Sequence, residues 1–422
     1  MRIEIKSLPL KLALIALESA VFVILTLWVG KVYFADLVSR RFSAENLGLA
    51  SRLDPGNSDY HLRLGRIFQY SLSDIDPIRA MAELTRATQL NPMDAQPWLD
   101  LGAAQEVAGK IDEAEVSLRQ ADYLAPNLPG FQWAIANFFL LHGNNNEAMR
   151  HFKVVLAGTD QYNGVIFTTA WKAIGDGDQI LATLIPNKLS AEFSYLYFLV
   201  GQNKGPEAKK VWERIAANPS SFGPDVTAPY MDWLMRAHQP DEAYSVWTDL
   251  RKRKLITESE APGNLVANGD FEQGIENFGF GWRIINFPGV YVTQDSAMFH
   301  SSGHSILIAF TGKGNLAYQG FFQWVKVTPG VAYQARVYMR TEGITTDSGP
   351  RLQIFDTFNP PALTAFSDQL IGTNAGWTLL SVDFKPKNPY VTVCIARIPS
   401  QKLDNNITGK VWVDDVSVAP VD

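Results

Sequence analysis

The sequence predicts a multidomain α + β protein with three parts: an N-terminal transmembrane helix, an all-α superhelix of repeats, and a C-terminal β-sandwich. Three observations predict it. Residues 12–30 are an apolar run of the length a bilayer requires. Within the helical region 58–253, residues 92–152 match themselves at an interval of 34. Beyond residue 263 the helical spacing gives way to alternation with a period of two.

Composition limits the function classes. The chain has 422 residues, 46% apolar and 19% charged, with a net charge of −6. Phosphate recognition needs a concentrated basic face, so the mild acidity argues against a nucleic-acid partner. The one cysteine, Cys394, rules out an internal disulfide and thiolate metal cages. It lies in "YVTVCIAR", an alternating strand, where a buried structural thiol is expected. The six histidines are scattered, without paired metal spacing.

The apolar run "LALIALESAVFVILTLWVG" (12–30) is long enough to cross a membrane as a helix. Glu18 interrupts it, and at that depth it must be protonated, near the headgroups, or paired. A cleaved signal peptide is the competing reading, but "VGKVYFADL" lacks a small-x-small cleavage site. An uncleaved anchor is expected, with residues 1–11 cytoplasmic and 31–57 a juxtamembrane helical segment. Arg2, Lys6 and Lys11 precede the span, and Lys31, Arg40 and Arg41 follow it. The flanking charges therefore orient it weakly. Orientation rests on the C-terminal domain, which places the protein in the inner membrane as a single-pass chain with extracytoplasmic domains.

In the middle region, Gly109 and Gly143, Ala114 and Ala148, Leu118 and Phe152, and Pro92 and Pro126 are each 34 apart. Turn glycines and small alanines at helix crossings with this period resemble tetratricopeptide repeats. The first unit, near 60–92, carries an insertion around "SLSDID". "VIFTTAWKAIGDGDQILATLIP" reads as a degenerate hairpin, and "PEAKKVWERIAANP" and "DEAYSVWTDLRKR" as second helices. Five or six hairpins are expected over 58–253. Each buries one apolar face only by stacking on its neighbours. Trp98, Phe138 and Trp212 are expected in that packing. The resemblance implies a concave surface for a protein partner and no catalytic group.

"KRKLITESEAPG" reads as a linker, placed at 254–263. Strands follow: "HSILIAF" alternates Ile306, Ile308 and Phe310. "AYQARVYMR" sets Tyr333, Ala335, Val337 and Met339 on one face, with Gln334, Arg336, Tyr338 and Arg340 on the other. Several such strands close together indicate a β-sandwich over 264–422.

In order, "NLVANGDFEQG", "GWRI", "VTPGVAYQARVYMR", "GWTLLSVDF" and "GKVWVDDVSV" resemble the jelly-roll carbohydrate-binding modules of families four and nine, in the galactose-binding-like superfamily. The resemblance implies neighbouring first and last strands and a nearby structural calcium held by acids of both segments. Asp270, Glu272, Asp414 and Asp415 become candidates. Calcium takes six to eight oxygens. Strand alternation puts Asp414 and Asp415 on opposite faces, so one of the two would serve. A metal-free turn, in which a carboxylate accepts backbone N–H bonds, is the alternative. A glycosidase needs two carboxylates about 5 to 9 Å apart across a bond, and neighbours in one strand point apart. No enzymatic activity is expected.

Sugars stack their C–H faces on aromatic rings and bond hydroxyls to Arg, Gln and Asp. Arg336, Tyr338 and Arg340, with Gln353, Arg397 and Trp282, form the expected concave patch. Core placement of Trp282 and solvated arginines is the competing reading. Asn406, in "NIT", is a formal glycosylation acceptor. The parts together suggest a non-catalytic adaptor in bacterial exopolysaccharide or cell-envelope assembly, binding polysaccharide and a protein partner. The alternatives are a sandwich that binds protein, or a glycan-modifying enzyme.

Overall fold

The computed structural model describes residues 7–71, 75–256, 263–301, 303–358, 361–403 and 405–421. Residues 1–6 of the expected cytoplasmic segment, part of the insertion near 71–76, and most of the expected linker lie outside the described residues. The chain divides into two compact units, 1–195 and 196–422.

In the first unit, α1 (Leu8–Ser39) is a helix of 32 residues. At about 1.5 Å per residue it reaches roughly 48 Å, more than a bilayer's hydrocarbon core. It is apolar enough to cross a membrane over a window with mean hydropathy 2.4. The helix outruns the apolar segment at both ends. Its last turns bury Ala35 and Ser39. Ala35 packs with Leu47 and Ala50 of α2 (Ala44–Leu53) and Tyr60 of α3 (Ser58–Tyr70). The helix is thus tied by packing to the first repeat.

Three antiparallel hairpins follow: α3 with α4 (Pro77–Leu90), α5 (Ala95–Val107) with α6 (Ile111–Leu124), and α7 (Pro129–Leu141) with α8 (Asn145–Gly158). Gly109 and Gly143 each have φ +76° at the turns, where a side chain would be strained. Asp76 and Asn144 cap α4 and α8 by accepting the Arg79 and Glu147 N–H. Helix crossings are close: a Cβ on Gly65 or Gly102 would stand 2.5 or 2.6 Å from Leu84 or Leu118. Arg66 pairs with Asp100 one repeat later at 2.5 Å. Phe138 is in the core, as its repeat position predicts. The degenerate hairpin is α9 (Asn163–Ala173) and the short α10 (Gly177–Thr183), and α11 (Leu189–Gly201) follows.

The second unit starts within α11 and contains α12 (Gly205–Ala217), α13 (Ala228–Arg236) and α14 (Pro240–Lys252), then the sandwich. Its strands are β1 (Arg283–Ile284), β2 (Val290–Asp295), β3 (Ser305–Thr311), β4 (Tyr318–Lys326), β5 (Tyr333–Ile344), β6 (Arg351–Asp356), β7 (Thr364–Phe366), β8 (Gly372–Phe384), β9 (Tyr390–Arg397) and β10 (Thr408–Pro420). They form two antiparallel sheets, β1-β4-β9-β6-β7 and β2-β3-β10-β5-β8. Between them lie Ile306, Ile308 and Phe310, the expected face of β5, and Val391, Val393 and Ile395 of β9. Burying side chains of this size stabilises by about 1.5–3 kcal/mol each. The opening segment runs beside β10, as the resemblance implies: Leu265 N–H donates to Val418 O and Val416 N–H to Gly269 O.

The sandwich packs on α13 and α14. Trp247 stacks edge-on against Phe278, and Tyr244 against Phe280. Asp241 accepts from the Tyr390 hydroxyl at 2.8 Å and from Lys326 at 3.2 Å.

Candidate functional site

The period-two alternation of β5 sends Arg336, Tyr338 and Arg340 to the outer face of the second sheet. Pairing with β8 sets Tyr338 beside Leu379 and Arg336 beside Ser381. Pairing with β10 sets Tyr338 beside Asp414 and Arg340 beside Trp412. A groove of about 470 Å³ opens here, lined among others by Asn264, Asp270, Arg336, Tyr338, Leu379 and Asp415. Arg336 is exposed, and its Nε donates to Gln334 Oε1 at 2.5 Å. The groove thus has an aromatic wall, a guanidinium, two carboxylates and an amide, a set suited to a polyhydroxylated ligand.

The His300 loop flanks it. His300 stacks on Tyr338 with centroids 3.7 Å apart and planes 14° apart, and meets Trp377 edge-on at 5.7 Å. Neither residue belongs to the patch expected from sequence. Trp377 is legible there, since it stands two residues before Leu379 on an alternating strand. His300 is not, because its loop has no periodicity.

Asp414 and Asp415 do not point apart as strand alternation predicts. The β10–β5 register shifts between Asp414 and Ser417, and Asp415 has φ +47°. This β-bulge brings both carboxylates to one loop. Asp414 Oδ2 accepts the His300 and Ser301 N–H at 2.7 and 3.3 Å. Asp415 accepts from the Ser301 hydroxyl at 2.6 Å and bonds His300 Nδ1 at 2.5 Å. Burial pushes the Asp414 carboxyl up to about 6, against the backbone N–H groups that favour its charge. Burial also acts to raise Glu272, but N–H bonds from Gly303 and His304 outweigh it and hold Glu272 below its ordinary range.

Asp414, Asp415 and Glu272 fit calcium poorly, while Asp270 lines the groove. The oxygens of Asp414, Asp415 and Glu272 face N–H and O–H donors, whose positive ends occupy the side a cation would need. Among the described residues no group of three or more His, Cys, Asp or Glu could hold a metal ion.

The six expected sugar-binding residues are not one patch. Trp282 is core: it stacks on Phe321 at 4.5 Å, and its Nε1 donates to Asn268 O at 3.0 Å. Arg397 is 2% exposed. Its guanidinium donates to Ser348 O, Asn315 Oδ1, Leu316 O and Asn405 O, tying loops together. Gln353 is buried on the outer side of the first sheet, accepting from Gln319 Nε2 at 2.7 Å. Cys394 is buried beside it, and burial pushes its thiol up. Arg336, Tyr338 and Arg340 remain together.

No family model matches the chain, and no curated protein does. Three solved structures illustrate what it is similar to. One is a CBM4 module, 18% identical, covering 36% of this chain and 98% of that one, with TM-score 0.28. Another is the CBM22-1–GH10 portion of the endo-1,4-beta-D-xylanase 10B of Clostridium thermocellum, complexed with xylohexaose. It is 14% identical, with TM-score 0.27, covering 38% of this chain and 28% of that one, so the match spans under a third of that solved chain. A thermophilic TPR protein of Thermus thermophilus is 23% identical, covering 32% of this chain and 72% of that one, with TM-score 0.27.

Proposed function

We propose that this protein is a non-catalytic adaptor anchored in the bacterial cytoplasmic membrane by α1. Its helical repeats dock a protein partner, and its sandwich holds polysaccharide outside that membrane, in exopolysaccharide or cell-envelope assembly. The observation that carries the glycan half is the groove beside Tyr338. It sets a ring wall, with Arg336 and Asp415 beside it, in one open concavity. Stacking on the ring and hydrogen bonds to these groups is how a sugar is recognised.

A non-catalytic reading is supported by the adjacent acids. Asp414 is buried and both carboxylates are bonded to the His300 loop, so neither is free to act across a glycosidic bond. The anchor reading is supported by the length and apolarity of α1.

The test is native affinity electrophoresis of the full chain in detergent through gels carrying xylan, mixed-linkage glucan, chitosan or alginate. The reading expects retardation by one polymer and its loss in Tyr338→Ala and Arg336→Ala. No retardation in any gel, or retardation unchanged in both variants, contradicts it.

A further inference from the structure

A second cavity, of about 350 Å³, lies on the opposite side of the sandwich, between α13 and the first sheet. Its floor is the outer face of β4, with Phe322 and Trp324, beside Ile285 after β1. Met235 of α13 forms one wall and Phe358 the other. Phe358 is itself held at 5.1 Å from the His238 ring, so helix and sandwich both shape the cleft.

Its polar groups are few, and most are already used. Arg283 makes a two-pronged ion pair with Asp232, at 2.6 and 3.2 Å, and lies 4.9 Å over Trp324. The Thr357 hydroxyl bonds Thr392. Arg236 lines the same cleft, is exposed, and has no hydrogen-bond or ion-pair partner among the described residues. Arg283 and Asp232 cancel, so the cleft carries one unmatched positive charge on an apolar floor.

This chemistry does not suit a sugar. A saccharide has a hydroxyl on nearly every carbon, and each one buried without a partner costs about 1–3 kcal/mol. One free guanidinium cannot serve them. It suits an apolar body with a single carboxylate, which can form a charge-assisted pair with Arg236. We propose that the cleft between α13 and the first sheet binds a small aromatic carboxylic acid, with its apolar body on the Phe322–Trp324 floor and its carboxylate on Arg236. This site is separate from the glycan groove and does not depend on it.

The experiment is isothermal titration of the full chain in detergent with N-acetylphenylalanine, N-acetylphenylalaninamide and glucose as probes. The acid is expected to bind at millimolar concentration. The amide is expected to bind about tenfold more weakly, a factor of ten in Kd. Arg236→Gln is expected to bring the acid down to the amide and leave the amide unchanged. Because Arg236 is exposed and unbonded, this variant is expected to keep the native unfolding midpoint. Equal binding of acid and amide, no binding of either, stronger binding of glucose, or an unaffected Arg236→Gln variant would each overturn the proposal. Polysaccharide retardation in Arg236→Gln is expected to match the native chain, which separates this site from the groove beside Tyr338.

Discussion

Trp247 of α14 lies so close to Gly279 of the sandwich that a Cβ there would stand 2.6 Å from the indole ring. Gly279 also has φ +55°, a conformation that costs a side chain about 1 kcal/mol or more. Gly279→Ala combines that strain with an overpacked contact, which typically costs about 1–3 kcal/mol. The expected outcome is a lower thermal midpoint of the second unit, with its helical and sheet signals falling together. An unchanged midpoint in circular dichroism contradicts this packing.

The same contact bears on where the sandwich can be cut from the chain. Phe278, Phe280 and Tyr390 are buried, and Phe280 contacts Tyr244, Trp247, Trp324 and Tyr390. A fragment beginning at residue 264 exposes that cluster and removes Asp241, whose carboxylate the Tyr390 hydroxyl, and then Lys326, hold below the ordinary range. Exposed aromatic patches bind hydrophobic dyes and aggregate. A fragment of residues 264–422 is expected to bind anilinonaphthalene sulfonate strongly. A fragment of residues 189–422, which keeps α11 whole, is expected to unfold in one transition without it.

Asp414 gives a pH signature. Its carboxyl, pushed up to about 6 chiefly by burial, holds a proton more tightly in the folded state than in the unfolded chain. The stability it contributes is therefore full below about pH 4 and is lost as pH rises through about 6. Asp414→Asn keeps an acceptor for the His300 and Ser301 N–H but cannot ionise. The midpoint of the variant minus that of the native chain is expected to rise between about pH 4 and 7 and then level off. A difference independent of pH would contradict the burial of a titrating Asp414.

In the repeats, Gly102 gives a matching test of helix spacing. A Cβ there would stand 2.6 Å from the Leu118 side chain. Gly102→Val is expected to destabilise by about 1–3 kcal/mol in urea unfolding. In the double variant with Leu118→Ala, the two losses are expected to be less than additive, because one removes the clash the other creates.

Much of this architecture is legible in the sequence because two periods carry it. The 34-residue spacing locates the turn glycines, and alternation in β3 and β5 separates core from surface. The site is less legible, for physical reasons. Alternation assumes a regular strand, and the bulge at Asp415 breaks it, which turns two acids expected on opposite faces toward one loop. Trp282 and Arg397 have chemistry suited to sugars, but their burial is decided by tertiary contacts that no local pattern encodes. Gln353 lies on the first sheet and Tyr338 on the second, a separation set by strand order. The linker reading at 254–263 follows composition alone. The packing of Trp247 and Tyr244 on the sandwich depends on residues far apart in sequence.

Hydrogen–deuterium exchange of the full chain, with and without the polysaccharide that retards it, tests the central claim most directly. Added protection is predicted in β5, in β8, in the end of β10 from Asp415 and in the opening segment from Gly263 to Asp270, which line the groove beside Tyr338. Protection confined to β4 and the end of β6 on the other sheet, or no change in the sandwich at all, would contradict the account.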